Sequence, residues 1–243
     1  MDSRPRVAIV TGASRGLGRA IAAGLRAGGW ALVLDARDAS TLRTSEEELR
    51  WDGAASTPIV SIPGDVNDPA HRRALAGAAR ELGGLDLLVN NAGVLGPSPL
   101  PPLARYPLDG LREVVEVNVV APLALFQATA ELLRAAPGGG RVVMITSDAA
   151  AEAYPGWGGY GAAKAAVEQL AAVLAAEEPG LRVWAVDPGD LRTRMHQEAF
   201  PGEDISDRPE PETVVPAFLS LVESDRASGR LRLADLEAGQ SSR

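Results

Sequence analysis

Residues 7–18 read VAIVTGASRGLG. Four apolar residues, three of them β-branched, run into a turn with glycines at 12, 16 and 18, and an Ala/Leu-rich stretch follows over 18–28. β-branched residues favour strands. Glycines directly after a strand mark a place where something approaches the backbone too closely for a Cβ. A helix that opens there presents free N–H groups and a partial positive charge, so the fitting partner is a phosphate. A turn that merely packs tightly could carry the same glycines, but their position straight after the first strand favours the phosphate.

The strand-and-helix theme repeats along the chain. Strand-type runs are ALVLD (31–35), PIVSI (58–62), LDLLVN (85–90), RVVMIT (141–146), LRVWAV (181–186) and, more weakly, RLRL (230–233). Helical patterns lie between them at 18–28, 44–51, 69–82, 108–136, 160–176 and 211–222. Asp68-Pro69 supplies a capping carboxylate followed by proline in the first turn. Nearly continuous apolar strands alternating with helices make a parallel sheet covered on both faces. The expected class is α/β, a doubly wound parallel sheet of about seven strands, with ligands beyond the carboxyl ends of the strands.

Composition narrows the function classes. The 243 residues are 46% hydrophobic and 23% charged, with no linker-like tract or repeat, so one domain over 1–243 is expected. A formal charge of −8 argues against nucleic acid as a partner. The absence of cysteine excludes disulfides and thiolate chemistry. No run of eighteen apolar residues suggests a membrane span, and the first strand begins without the apolar core of a signal peptide. A cytoplasmic location is therefore expected. His71 and His196 are isolated from other ligand types, so no metal is expected, and His71 reads as an exposed helix residue. The acidic runs at 46–48 and 203–212 read as solvated surface.

Six elements in order now carry a resemblance. They are TGASRGLG, NNAG at 90–93, Asn118 within EVNVV, Ser147 thirteen residues before Tyr160, Lys164 four after it, and DPG at 187–189 followed by Thr193. Together they resemble the single-domain branch of the short-chain dehydrogenase/reductase family, over about residues 5–235. The resemblance implies a Rossmann-like sheet in the strand order 3-2-1-4-5-6-7 with helices on both faces. It implies hydride transfer between a nicotinamide cofactor and a small-molecule carbonyl or secondary alcohol. Asn118, Ser147, Tyr160 and Lys164 fall on the catalytic positions. Cofactor contacts are implied for Gly12, Ser14, Arg15, Gly16, Leu17 and Gly18 in the first turn, and for Arg37 after the second strand. Asp65 and Val66 follow the third strand, and Asn91, Ala92 and Gly93 the fourth. Tyr160, Lys164, Pro188, Gly189 and Thr193 complete that set.

Against the family pattern, Ala36 stands where NAD-preferring members place an aspartate. Arg37 is the next residue, Arg15 falls on the basic position of the glycine turn, and Asp35 comes one residue early. Guanidinium groups match phosphate oxygens bidentately, so NADP(H) is expected over NAD(H).

The chemistry follows from residue types. Tyr160 and Lys164, four apart on a helix, share a face about 5–6 Å apart at Cβ. An ammonium beside a phenol is expected to lower its pKa from about 10, and three units of lowering need about 4 kcal/mol. Tyr160 is then the proton donor in reduction and the base in oxidation, and Ser147 hydrogen-bonds the substrate oxygen. By resemblance, Lys164 also holds the nicotinamide ribose, and Asn118 organises a water that connects Lys164 to solvent. A fold of this kind also serves isomerases or dehydratases that recycle the cofactor, and non-catalytic NADP-sensing regulators. The intact Tyr–Lys pair speaks against the last. The stretch of about 190–210, with Met195, Phe200 and Ile205, is expected to cover the substrate, with His196 inside it. The chain lacks the D-G-G ending that many members pack in a tetramer, so a homodimer paired through the helices near 108–136 and 160–176 is expected.

Overall fold

The computed structural model describes residues 4–51 and 57–240. β1 (Val7–Val10) leads through the glycine turn into α1 (Gly16–Ala27). β2 (Ala31–Ala36), α2 (Ala39–Trp51), β3 (Ile59–Pro63), α3 (Pro69–Glu81) and β4 (Leu87–Asn90) complete the first half. The second half runs α4 (Leu108–Val115), α5 (Ala121–Arg134), β5 (Arg141–Ile145), α6 (Gly158–Glu177) and β6 (Arg182–Asp187). It ends with α7 (Arg194–Ala199), α8 (Val215–Glu223), β7 (Gly229–Arg232) and α9 (Leu233–Gln240). The strands form one parallel sheet in the order β3-β2-β1-β4-β5-β6-β7, as expected. The order reverses between β1 and β4, where a doubly wound sheet opens a crevice.

Strand periodicity sorts the core into two layers. Ala8 and Val10 of β1 face α1 and α8, packing with Leu17, Ile21, Leu25, Phe218 and Leu221. Val7 and Ile9 face the other way, toward Leu75 of α3, Phe126 of α5 and Val167 of α6. Both faces are covered, which is why the strands read as unbroken apolar runs.

Element ends follow from capping. α3 begins where expected: the Asp68 carboxylate accepts from the Ala70 N–H at 2.7 Å, and Pro69 occupies the first turn. α2 begins five residues earlier than the helix expected from 44, because Asp38 accepts from the Thr41 N–H at 2.7 Å and caps it. α1 begins at Gly16 rather than Gly18. The helix expected over 211–222 divides into a 3-10 turn at Pro211–Val214 and α8.

The long helix expected over 108–136 is interrupted by a π turn at Glu116–Val120. There the Ala121 N–H bonds to the Glu116 carbonyl, five residues back. Pro122 explains part of this: it has no N–H for the carbonyl of Asn118, four residues before it. By length and composition the composite helix Leu108–Arg134 would suffice to cross a bilayer, but half of its most apolar window is buried inside the protein. There α5 packs on α3 and β4.

Candidate active site

A cavity of about 700 Å3 crosses the carboxyl ends of the strands, from the start of α1 to α6 and α7. At its α1 end Gly12 and Gly16 have φ of +67° and +54°, which L side chains rarely adopt. A Cβ on Gly18 would lie 2.4 Å from the Gly12 carbonyl oxygen and 2.5 Å from Asn91 Nδ2. Gly18 therefore lets α1 close onto the turn, while the helix start stays bare. Arg15, at the N-cap position, makes no capping bond, and no acid stands in the first turn. The first N–H groups of α1 are thus left for an anion. Arg15 and Arg37 are exposed at the rim of the cavity, and neither guanidinium has an ion-pair or hydrogen-bond partner among the described residues. Across the crevice, Thr11 Oγ1 accepts from the N–H groups of Asn91 at 3.0 Å and Ala92 at 2.9 Å. That hydroxyl ties the NNAG segment to the end of β1.

The acid beside this end faces away from the rim. Strand alternation places Ala36 with the α1 and α2 core and Asp35 on the opposite, α3 face. Asp35 is 1% exposed, and its Oδ1 accepts from the Gly12 N–H at 2.7 Å. Its Oδ2 lies 3.0 Å from His71 Nε2. His71, expected on an exposed helix face, is buried instead. The capping bonds of Asp38, first from the Thr41 N–H and then from the Ser40 and Thr41 hydroxyls, hold its carboxyl down at about 2.

At the other end β5 delivers Ser147, and a 3-10 turn at Asp148–Ala150 carries the chain toward α6. α6 touches that turn because Gly161 has no side chain; a Cβ there would lie 2.5 Å from the Ala149 carbonyl oxygen. Ser147 Oγ donates to Asp148 Oδ1 at 2.9 Å and accepts from the Ala149 N–H at 3.2 Å. Tyr154 Oη donates to Asp148 Oδ2 at 3.0 Å. Burial pushes the Asp148 carboxyl up, but the bonds from Ser147, Tyr154 and the Ala149 N–H outweigh it and leave it below the usual range.

Tyr160 and Lys164 are both buried on α6. Lys164 Nζ donates to the Ile145 carbonyl at 2.7 Å and lies 5.4 Å from the Tyr160 ring centroid. Burial pulls the lysine down to about 8. The expected lowering of the tyrosine is not what this environment produces. Burial, followed by the carboxylates of Asp148 and Asp187, pushes the phenol well above its ordinary value. The lysine ammonium spends a hydrogen bond on backbone, while two acids oppose the phenolate. Asp187 is itself raised by burial, partly offset by the Gly189 N–H and by Arg232 and Arg230. Trp157 packs edge-on against Tyr160 at 5.8 Å between centroids, and Phe200 lies 6.0 Å from Trp157.

All the residues marked from sequence for the cofactor line this one cavity, Ser14, Leu17, Asp65, Val66, Pro188 and Thr193 among them. Of the four marked as catalytic, Ser147, Tyr160 and Lys164 line it and Asn118 does not. The Asn118 amide is fully engaged: Oδ1 accepts from the Val94 N–H at 2.9 Å, and Nδ2 donates to the Val94 carbonyl at 2.8 Å. It sits under Gly93, whose Cβ would meet Oδ1 at 2.8 Å. Sequence reasoning did not single out Asp148, Tyr154, Trp157 or Leu95, which also line the cavity, and it gave Asp187 of the DPG motif no role. Two of these had a signal: Asp148 follows the serine directly, and Trp157 precedes the tyrosine by one helical turn. His196 lines the cavity with its ring 5.0 Å from Phe200. Among the described residues no group of three potential metal ligands occurs.

The chain is similar in sequence and fold to known proteins. Residues 6–204 match the family model for short chain dehydrogenase. The chain is 38% identical to the sepiapterin reductase of Rattus norvegicus over 202 residues, spanning 79% of this chain and 77% of that protein. A short chain dehydrogenase from Escherichia coli CFT073, complexed with NADPH, superposes with a TM-score of 0.86 at 30% identity, covering 94% of this chain and 96% of that one. The alcohol dehydrogenase of Thermococcus sibiricus, complexed with 5-hydroxy-NADP, gives 0.83 at 27% identity over 93% and 95% of the two chains. Sheet order, glycine turn and the gathered serine, tyrosine and lysine agree with the sequence match: the chain belongs to the short chain dehydrogenase family of oxidoreductases.

Proposed function

We propose that the protein is an NADPH-dependent reductase of a small carbonyl compound, with Tyr160 as its proton donor. One observation carries this reading. A single cavity has a bare helix start flanked by two guanidinium groups, unpaired among the described residues, at one end, and a serine, a phenol and an ammonium at the other. The residues fit a phosphorylated dinucleotide. The uncapped N–H groups of α1 suit a pyrophosphate, and Arg15 and Arg37 suit a further phosphate on the adenosine ribose. Asp65 and Val66 border the adenine side, and Lys164, Pro188, Gly189 and Thr193 the nicotinamide side. Relatives complexed with NADPH and 5-hydroxy-NADP support the same cofactor. Bound in this cleft, the cofactor supplies a hydride.

The chain's own groups do the rest. Ser147 turns its hydroxyl from Asp148 to the substrate oxygen, where it stabilises developing negative charge. Tyr160 gives its proton to that oxygen. Burial and two neighbouring carboxylates keep the phenol protonated, the form a proton donor starts from. Lys164 fixes the tyrosine's helix to β5 through the Ile145 carbonyl and supplies a positive charge beside the ring. Asn118 acts on backbone: its amide holds Val94, and its main-chain carbonyl, which Pro122 cannot bond, would be the group that holds the water relay implied by the family resemblance.

The substrate lies among Leu95, Trp157, Met195 and Phe200, an apolar wall that excludes water, and the stretch of about 190–210 covers it. The same reading extends to assembly. Val115 and Val120, around the π turn, and Val173 on the adjacent α6 are exposed, and two copies pair through them. The reading is tested by following NADPH and NADH absorbance over a panel of aldehydes and ketones. Carbonyl-dependent oxidation of NADPH in preference to NADH is expected; consumption of neither cofactor overturns the assignment.

A further inference from the structure

The pair formed by His71 and Asp35 is used by no step above, yet it lies under the part of the cavity that meets the adenosine. Asp35 borders the cavity floor but is 1% exposed, and both carboxylate oxygens are engaged, one by the turn above and one by α3 below. The Gly12 N–H takes one at 2.7 Å and His71 Nε2 the other at 3.0 Å. A carboxylate only accepts, so Nε2 carries the hydrogen. The ring has a seat made for it: a Cβ on Gly64 would lie 2.3 Å from His71 Nδ1. Bare backbone at the end of β3 thus lets the imidazole reach beneath β2.

A free carboxylate at the end of β2 would accept hydrogen bonds from ribose hydroxyls and repel a 2′-phosphate. This chain has such an acid and holds it on the opposite face of the strand from Ala36. We infer that His71 is a positioning residue for cofactor choice: on the face that strand alternation gives Asp35, it and the Gly12 N–H hold the carboxylate beneath the glycine turn, so that Arg15 and Arg37, and no acid of β2, meet the 2′ position. The inference rests on the NADPH reading above.

The test measures dissociation constants of NADPH and NADH separately, by fluorescence titration, for the wild type and three variants. His71→Leu is expected to raise the NADPH constant about tenfold, while the NADH constant changes by less than about threefold. His71→Gln, which keeps an N–H on that side, retains the wild-type ratio. Combining His71→Leu with Asp35→Asn removes the released charge and restores the preference for NADPH. Should His71→Leu fail to fold, Gly64→Ala displaces the ring and is read by the same titrations. A variant that weakens both cofactors equally overturns this inference and leaves the NADPH reading standing. A wild type that binds NADH more tightly overturns that reading and this inference with it.

Discussion

Tyr160 stands between one ammonium and two carboxylates, and the balance among them governs how the protein responds to mutation and to pH. Tyr160→Phe removes the transferable proton but leaves the glycine turn and both rim arginines untouched. Reductive turnover is expected to fall by about two to four orders of magnitude, with NADPH titrating as in the wild type. A Phe variant that keeps its turnover would disprove the proton-donor role. The lysine supplies a pH signature. Burial holds it at about 8 in the folded protein against 10.5 when unfolded. Its positive charge beside the phenol is present below about 8, so kcat/KM for reduction should decline as pH climbs through that value. Stability moves in the opposite sense. Between about 8 and 10.5 the unfolded chain binds the extra proton, so this group makes folding more favourable as pH rises. Lys164→Met should flatten both trends, measured by pH–rate profiles and thermal melts. At the other end of the cavity, Arg37→Asp places an acid at the rim where a guanidinium stood. The NADPH constant is expected to rise by about tenfold or more, with NADH affected much less, and equal losses for both would remove Arg37 from cofactor choice.

Elements differ in how far they can be read from the chain. The glycine turn is local: a strand, three glycines and a helix start occupy consecutive residues, so both its geometry and its ligand are written in one short stretch. The α3 cap is equally local. The π turn is less so, because EVNVVAP keeps a helical apolar pattern and only Pro122 hints that one carbonyl loses its donor. Asp35 and His71 are 36 positions apart and meet only through the packing of α3 on the sheet. No periodicity announces that pairing, and an isolated histidine on a helix reads as solvated. The phenol's raised pKa was hidden for the same reason. The helix spacing shows Lys164, whereas Asp187 arrives from another strand. The local element also gives a clear test. Gly18→Ala forces a Cβ to within 2.4 Å of the Gly12 carbonyl oxygen, so α1 must move off the turn. A loss of about 1–3 kcal/mol of stability is expected from overpacking, together with weaker NADPH binding. An unchanged melting temperature would show that the turn has slack that its distances do not suggest.

At the scale of the whole molecule, the sheet order was legible because strand–helix alternation leaves few alternatives for a parallel sheet, and the family resemblance selects one of them. What the chain does with its outer surface is less legible, since exposed apolar residues resemble core residues in a sequence. The structure separates the two. Phe126 and Leu133 of α5 are buried against the sheet, whereas Val115 and Val120 of the composite helix and Val173 of α6 face outward. α4 and the π turn pack beside α6, so these valines belong to one side of the molecule. Two copies related by a two-fold axis would lay that side on itself, removing apolar surface from water at no change to either active cavity. Sedimentation velocity is expected to give a dimer for the wild type. Val120→Glu with Val173→Glu places like charges at the centre of the contact and should give a folded monomer. If the wild type already sediments as a monomer, the exposed valines have another explanation, and the pairing of these helices is wrong.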